Sequence, residues 1–90
     1  MRVEIVAYVV QVIEDVLSAP IGPGDVNRIP LGRDGLDLES LSLLELSVHV
    51  ERHYDVTFDE DELDALGGMT VRGLVDLIEA KVGAAAGVKR

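Results

Sequence analysis

The sequence contains no cysteine, so disulfides and cysteine-based metal or redox centres are excluded. Any thiol chemistry must use a sulfur supplied from outside the chain. Aromatic residues make up only 3%, with no tryptophan, so the core has to come from Val, Leu and Ile rather than from stacked rings. Bases are scarce too: 8 Lys and Arg stand against 17 Asp and Glu, a formal charge of −9. That balance argues against nucleic acid and anionic lipid surfaces, both polyanions, and favours a basic protein partner. No apolar run is long enough to span a bilayer, there is no strand-like alternation, and there is no internal repeat.

What is present is a 90-residue chain that is 48% hydrophobic, enough for one modest core and too short for an enzyme with a deep cleft. The apolar start from Val3 to Leu17 is interrupted by Glu4, Gln11, Glu14 and Asp15, which leaves no continuous signal-peptide core. The expected setting is cytoplasmic and the expected state a monomer.

Ile5, Val6, Val9, Val10, Val12, Ile13, Val16 and Leu17 share one sector of a helical wheel, predicting an amphipathic first helix that ends before Pro20. Its many valines lower helix propensity, so burial must hold it. From Ala19 to Leu36 three prolines and four glycines describe a long loop. Loops of that length in small domains are either functional or misassigned. A second helix is expected from Ser40 to about Tyr54. A short third follows over Asp59 to Leu66, with Asp59 as cap, acids in its first turn, and Gly67 and Gly68 as the stop. Thr70 then caps a fourth, in which Val71, Leu74, Val75, Leu77, Ile78 and Val82 recur at helical spacing. The expected domain is residues 1–82, with a flexible tail over 83–90 that has nothing to bury.

The second helix carries two apolar stripes. Leu43, Leu46, Ser47, Val50 and Tyr54 fall on one side, which is the core face. Leu41, Leu44 and Val48 form another, flanked by Glu45 and Glu51. Either the bundle wraps this helix more fully, or a few leucines are simply exposed, or the second stripe is a contact surface for a partner with apolar pockets edged by Lys or Arg. Ser40 opens the same side. As a helix-start residue it is a cap or first-turn residue, and the same location suits a phosphate, because amides converge there and the helix dipole favours an anion.

Other constellations carry less. Glu45, His49 and His53 stand at i, i+4 and i+8, a spacing able to hold a transition metal but more commonly plain surface. The run "DEDELD" lacks the central glycine and spaced final glutamate of a calcium loop. The loop glycines make no phosphate cradle, and no Ser-His-Asp arrangement is legible.

The run "LDLESL", Leu36 to Leu41, followed by "SLLELSVHVERHYDV", resembles the acyl carrier protein family, which includes the carrier domains of polyketide and peptide assembly lines. That family has Leu-Gly-x-Asp-Ser-Leu at the start of its second helix, after a long loop. The likeness continues through "TFDEDELDAL" and "MTVRGLVDLIEAKV" and so covers nearly the whole chain. Asp37 replaces the usual glycine and Glu39 the usual aspartate. A competing register would set "DGL", Asp34 to Leu36, on Asp-Ser-Leu, leaving Gly35 in the serine's place and His49 at the aromatic position that Tyr54 otherwise fills.

The resemblance implies an all-α, four-helix acyl-carrier-like bundle with three main helices and one short third. It implies that Ser40 is joined through a phosphodiester to 4′-phosphopantetheine, donated by coenzyme A and transferred by a separate phosphopantetheinyl transferase. An acyl or aminoacyl group then rides on the arm's thiol as a thioester, in fatty acid, polyketide or nonribosomal peptide synthesis, and a chain without cysteine offers no competing thiol. Such a chain is a carrier and not an enzyme. Glu39 becomes an acidic contact for the transferase, Leu41, Leu44 and Val48 the apolar partner surface, and Glu45 and Glu51 its rim. His49 and Arg52 stand where many relatives are more acidic. The alternative is an acidic helical adaptor that keeps the fold and docks proteins unmodified, motivated by Asp37 and Glu39.

Overall fold

A computed structural model describes residues 2–19, 21, 24–32 and 35–88. The described residues form four helices: α1 (Arg2–Gln11), prolonged by a π-helical segment at Val12–Val16; α2 (Ser40–Tyr54); α3 (Glu60–Ala65), followed by a 3₁₀ turn at Leu66–Gly68; and α4 (Val71–Val88). A further 3₁₀ turn, Val26–Arg28, lies in the long loop. The four-helix bundle implied by the resemblance is therefore the observed architecture.

The core is aliphatic, as the dearth of aromatics requires. Ile5, Val9 and Ile13 from α1, Leu46 and Val50 from α2, and Val71, Val75 and Ile78 from α4 are all fully buried, and Leu31 of the loop joins them. Phe58 is the one phenylalanine, and it is buried at the edge of this cluster. Burying a Leu, Ile or Val side chain stabilises by roughly 1.5–3 kcal/mol, which holds α1 despite its valines.

One position on α1 departs from the wheel. Val16 belongs to the expected buried sector but is 45% exposed. The cause is the π-helical widening, in which the Leu17 N–H reaches back to the Val12 carbonyl at 3.1 Å and the Ala19 N–H to that of Ile13 at 3.0 Å. An extra residue per turn rotates Val16 off the core while Ile13 stays in it. Ser18, at φ 55, then closes the helix in the left-handed conformation.

The loop between α1 and α2 is ordered over its described residues. Its middle is tied to the start of α4: the Leu31 N–H donates to the Met69 carbonyl at 2.8 Å and the Val71 N–H to the Ile29 carbonyl at 2.9 Å, with Pro30 opposite Thr70 in an antiparallel bridge. Leu31 is thereby driven into the core. Gly32 lies so close to Gly67 that a Cβ there would strike the Gly67 carbonyl, so a glycine is needed where the loop passes the turn after α3.

α3 is held differently from the other helices. None of its residues is buried. Asp59 and Glu62 form a reciprocal capping box, with the Glu62 N–H donating to Asp59 Oδ1 at 2.8 Å and the Asp59 N–H to Glu62 Oε1 at 2.9 Å. Lys81 Nζ of α4 also reaches Glu62 Oε1, at 2.7 Å. The Lys81 hydrogen bond, with that from the Asp59 amide, holds the Glu62 carboxyl below the usual carboxylate range.

α4 begins as expected at Thr70, whose Oγ1 accepts the Gly73 N–H at 3.1 Å. Its buried face is Val71, Leu74, Val75 and Ile78, with Leu77 and Val82 half-buried. The helix runs on to Val88, into the stretch 83–90 read from the sequence as tail, and Gly83 and Ala84 are exposed there. No described helix is long and apolar enough to cross a membrane.

Candidate functional site

The start of α2 is built by the end of the long loop. Leu38 is buried and pinned by its N–H to the Leu31 carbonyl at 3.0 Å, and the Asp37 N–H reaches the Gly32 carbonyl at 2.7 Å. Between them Asp37 takes φ 55, the left-handed region that glycine favours and that Asp tolerates better than most side chains. Asp37, at the glycine position of the Leu-Gly-x-Asp-Ser-Leu pattern, thus keeps a backbone geometry that a glycine would supply. Gly35 sits in a turn, where a Cβ would collide with the backbone of Pro30, so the competing register sets the family's serine on a position with no room for a side chain.

Glu39 is the N-cap, extended at φ −81 and ψ 170, and its side chain makes no capping bond. Ser40 is therefore the first residue of the helix and not its cap. The first intrahelical bond runs from the Leu43 N–H to the Glu39 carbonyl at 2.9 Å, so no intrahelical acceptor serves the amides of the opening turn before it. α3 and α4 have side-chain caps and α2 has none. Its uncapped end suits an anion on both hydrogen-bonding and dipole grounds.

Ser40 is exposed. It lies at the rim of a shallow groove of about 340 Å³ whose walls are Leu43 and Leu44 of α2 and Leu63, Asp64 and Leu66 on the far side. The far wall was not legible from the sequence as part of a site, because helical periodicity sorts residues within one element and says nothing of which elements meet.

The two stripes of α2 separate cleanly. Leu43, Leu46, Ser47 and Val50 are buried, and Ser47 satisfies its hydroxyl by donating to the Leu44 carbonyl at 2.6 Å. On the other stripe Leu41 is 67% and Leu44 48% exposed, while Val48 is half-buried. Glu39 and Glu45 are exposed. Glu51 is half-buried, and its Oε2 accepts the Phe58 N–H at 2.8 Å, so this carboxylate helps to close the chain after α2. Asp55 ends the helix at φ 57.

The histidines of the i, i+4, i+8 series do not form a metal site. No group of three His, Asp or Glu disposed to hold a metal occurs among the described residues. His53 instead stacks on Tyr8 of α1, with ring centroids 3.9 Å apart, and the Tyr8 hydroxyl donates to the His49 carbonyl at 2.9 Å. Burial pushes the Tyr8 phenol above its ordinary value, and Tyr54 is raised chiefly for the same reason.

A profile of the family described as phosphopantetheine attachment site matches residues 7–78, which takes in α1 from its middle, the whole loop, α2, α3 and the first part of α4. The chain belongs to this family. Neither the curated proteins nor the solved structures yield a match.

As a member of the phosphopantetheine attachment family, the chain has the role of a carrier for covalently attached 4′-phosphopantetheine. The residues present fit that group. It needs a hydroxyl that a modifying enzyme can reach and surroundings that accept a phosphodiester anion. Ser47 is buried and bonded, and Thr70 is used as a cap. Ser18 and Thr57 are exposed but lie outside any helix start, and Ser42 is half-buried. Ser40 alone among the described hydroxyls combines exposure with the first position of an uncapped helix. When bound, the arm supplies the thiol that the sequence lacks.

Proposed function

We propose that Ser40 is the attachment residue and that the chain carries acyl or aminoacyl groups as thioesters on the phosphopantetheine arm, delivering them to partner biosynthetic enzymes. The observation that carries the assignment is the exposed Ser40 hydroxyl at the uncapped start of α2, inside the stretch matched by the family. In the modification the Ser40 oxygen attacks the phosphorus that bears the pantetheine arm of coenzyme A. The new O–P bond replaces the bond to the nucleotide half, which departs, and a separate phosphopantetheinyl transferase takes up the serine proton. The amides of the α2 start then face a phosphodiester anion, an arrangement favoured by the helix dipole.

The partner surface is the exposed stripe. Leu41 and Leu44 supply apolar contact, Val48 continues it, and Glu39 and Glu45 give the charged rim that draws a basic partner surface to the modified end. Glu51 adds its charge at the far end of the stripe while bonded to the Phe58 amide. The unmodified-adaptor alternative drew on Asp37 and Glu39, and Asp37 retains the glycine-like conformation.

Incubation of the purified chain with coenzyme A and a permissive phosphopantetheinyl transferase should add one phosphopantetheine mass, and Ser40→Ala should abolish the addition. A Ser40→Ala chain that still gains the mass overturns the assignment. Loading of the modified chain by acyl- and aminoacyl-activating enzymes then separates the cargo classes.

A further inference from the structure

The outward face of α1 carries features that neither the core nor the Ser40 end uses. Val3 is 81% exposed, more than any other large apolar side chain among the described residues. One turn on, Ala7 is exposed and forms a low saddle between two depressions. On one side Val3, Val6, Ala7 and Asn27 line a space of about 340 Å³. On the other, a space of about 550 Å³ opens between Ala7, Tyr8 and Gln11 of α1 and His53 and Tyr54 of α2.

The two depressions differ in kind. In the first, the apolar Val3, Val6 and Ala7 leave an unfilled hollow beside Asn27. In the second stand both tyrosines of a chain with only one other aromatic residue. Tyr54 meets Tyr8 edge-on, with centroids 5.5 Å apart at 86°, and His53 covers the other ring contact at 17°. Clustered rings of this kind accept a cationic side chain, and Glu4 borders the same space. Glu14 and Asp15 extend the acidic character along the helix.

We propose that the outer face of α1 is a second docking surface, which takes a basic amphipathic helix from a partner protein. A helical ridge with a small residue at its crest and a hollow on each side is the shape onto which another helix packs. The partner helix sets apolar residues over Ala7 and into the hollow beside Val3 and Val6, and a Lys or Arg against Tyr8 and Tyr54. Charge selects this occupant over a second copy, which would set Glu4, Glu14 and Asp15 against their own images in a chain of net charge −9, and over an anionic membrane for the same reason. Tyr54 lies at the opposite end of α2 from Ser40, about 20 Å away at 1.5 Å per residue, so docking here leaves the Ser40 end open.

The test uses the intact chain, isotope-labelled for amide NMR, titrated with a synthetic Leu–Lys amphipathic helical peptide and with its Leu–Glu counterpart. The basic peptide should shift the amides of Val3, Ala7, Tyr8, Asn27 and His53. Ala7→Lys and Gln11→Lys, both at exposed positions, should each weaken its binding about tenfold while melting as the parent does and accepting phosphopantetheine at the parent's rate. Shifts confined to Leu41, Leu44 and α3, or equal binding of the acidic peptide, would overturn the proposal. So would shifts of the α1 amides that grow with protein concentration in the absence of peptide, since they would assign this face to a second copy.

Discussion

α2 and α3 begin on nearly the same backbone. Glu39 and Asp59 are both acidic N-caps in extended conformation, at φ −81, ψ 170 and φ −81, ψ 173. Yet Asp59 closes a full capping box while the Glu39 side chain makes no capping bond. Two differences account for this: the shorter Asp side chain turns back onto the first-turn amides, and the third helical residue that completes the box is Glu62 in α3 but Ser42 in α2. The two helices are then held by opposite means. α2 buries Leu43, Leu46, Ser47 and Val50, whereas α3 fully buries no residue, packs only the half-buried Leu63 against the core, and relies otherwise on its cap and on the Lys81–Glu62 pair. A helix secured by a broad buried face can leave its N-terminus open for chemistry, and a short helix with a single half-buried anchor cannot.

That contrast can be broken in several ways. The largest effect belongs to the buried face of α2: Leu46→Ala should lower unfolding free energy by about 3 kcal/mol in chemical denaturation, against about 0.5 kcal/mol or less for Leu44→Ala. Comparable losses would mean that the two stripes are not distinct. Next comes the pair of caps. Asp59→Ala should cost about 1 kcal/mol, and Glu39→Ala should leave the midpoint almost unmoved, because there is no capping bond to lose. A substantial loss in Glu39→Ala would show that α2 depends on its N-terminus after all.

The pH dependence of α3 is smaller. Glu62 has a folded-state pKa below its unfolded value, so its contribution is in place above the ordinary glutamate range. It is lost as pH falls through the depressed folded value, where the carboxylate that Lys81 and the Asp59 amide prefer is protonated. Acid titration of stability should therefore be shallower in Glu62→Gln than in the parent, and equal slopes would remove the pair from the account of α3. The smallest effect lies before α2, where Asp37→Gly should raise stability by about 0.5 kcal/mol, read as a higher denaturation midpoint, by relieving a left-handed aspartate.

Much of this was written in the chain. The spacing of Leu43, Leu46 and Val50 announced the core face of α2, and the order Asp59, Glu60, Asp61, Glu62 announced a capped helix start, because both signals are local. Leu41 and Leu44 stood out as a second stripe for the same reason. Val16 was misplaced because a wheel assumes 3.6 residues per turn, and the π-helical segment has more. Glu51 looked like a surface charge until the fold brought the Phe58 amide to it. Tyr8 and His53 meet only because α1 packs against the end of α2, and nothing in the pattern of either helix records the other. Asp37 stands where the resembling family has glycine, yet it holds the left-handed conformation that glycine favours, which no sequence pattern announces.

The central claim is that the arm is attached at Ser40, and peptide mapping by fragmentation mass spectrometry of the fully modified chain tests it most directly. All of the phosphopantetheine should localise to Ser40, with Ser18, Ser42, Ser47, Thr57 and Thr70 unmodified. Modification at any of these other hydroxyls with Ser40 free would contradict the account.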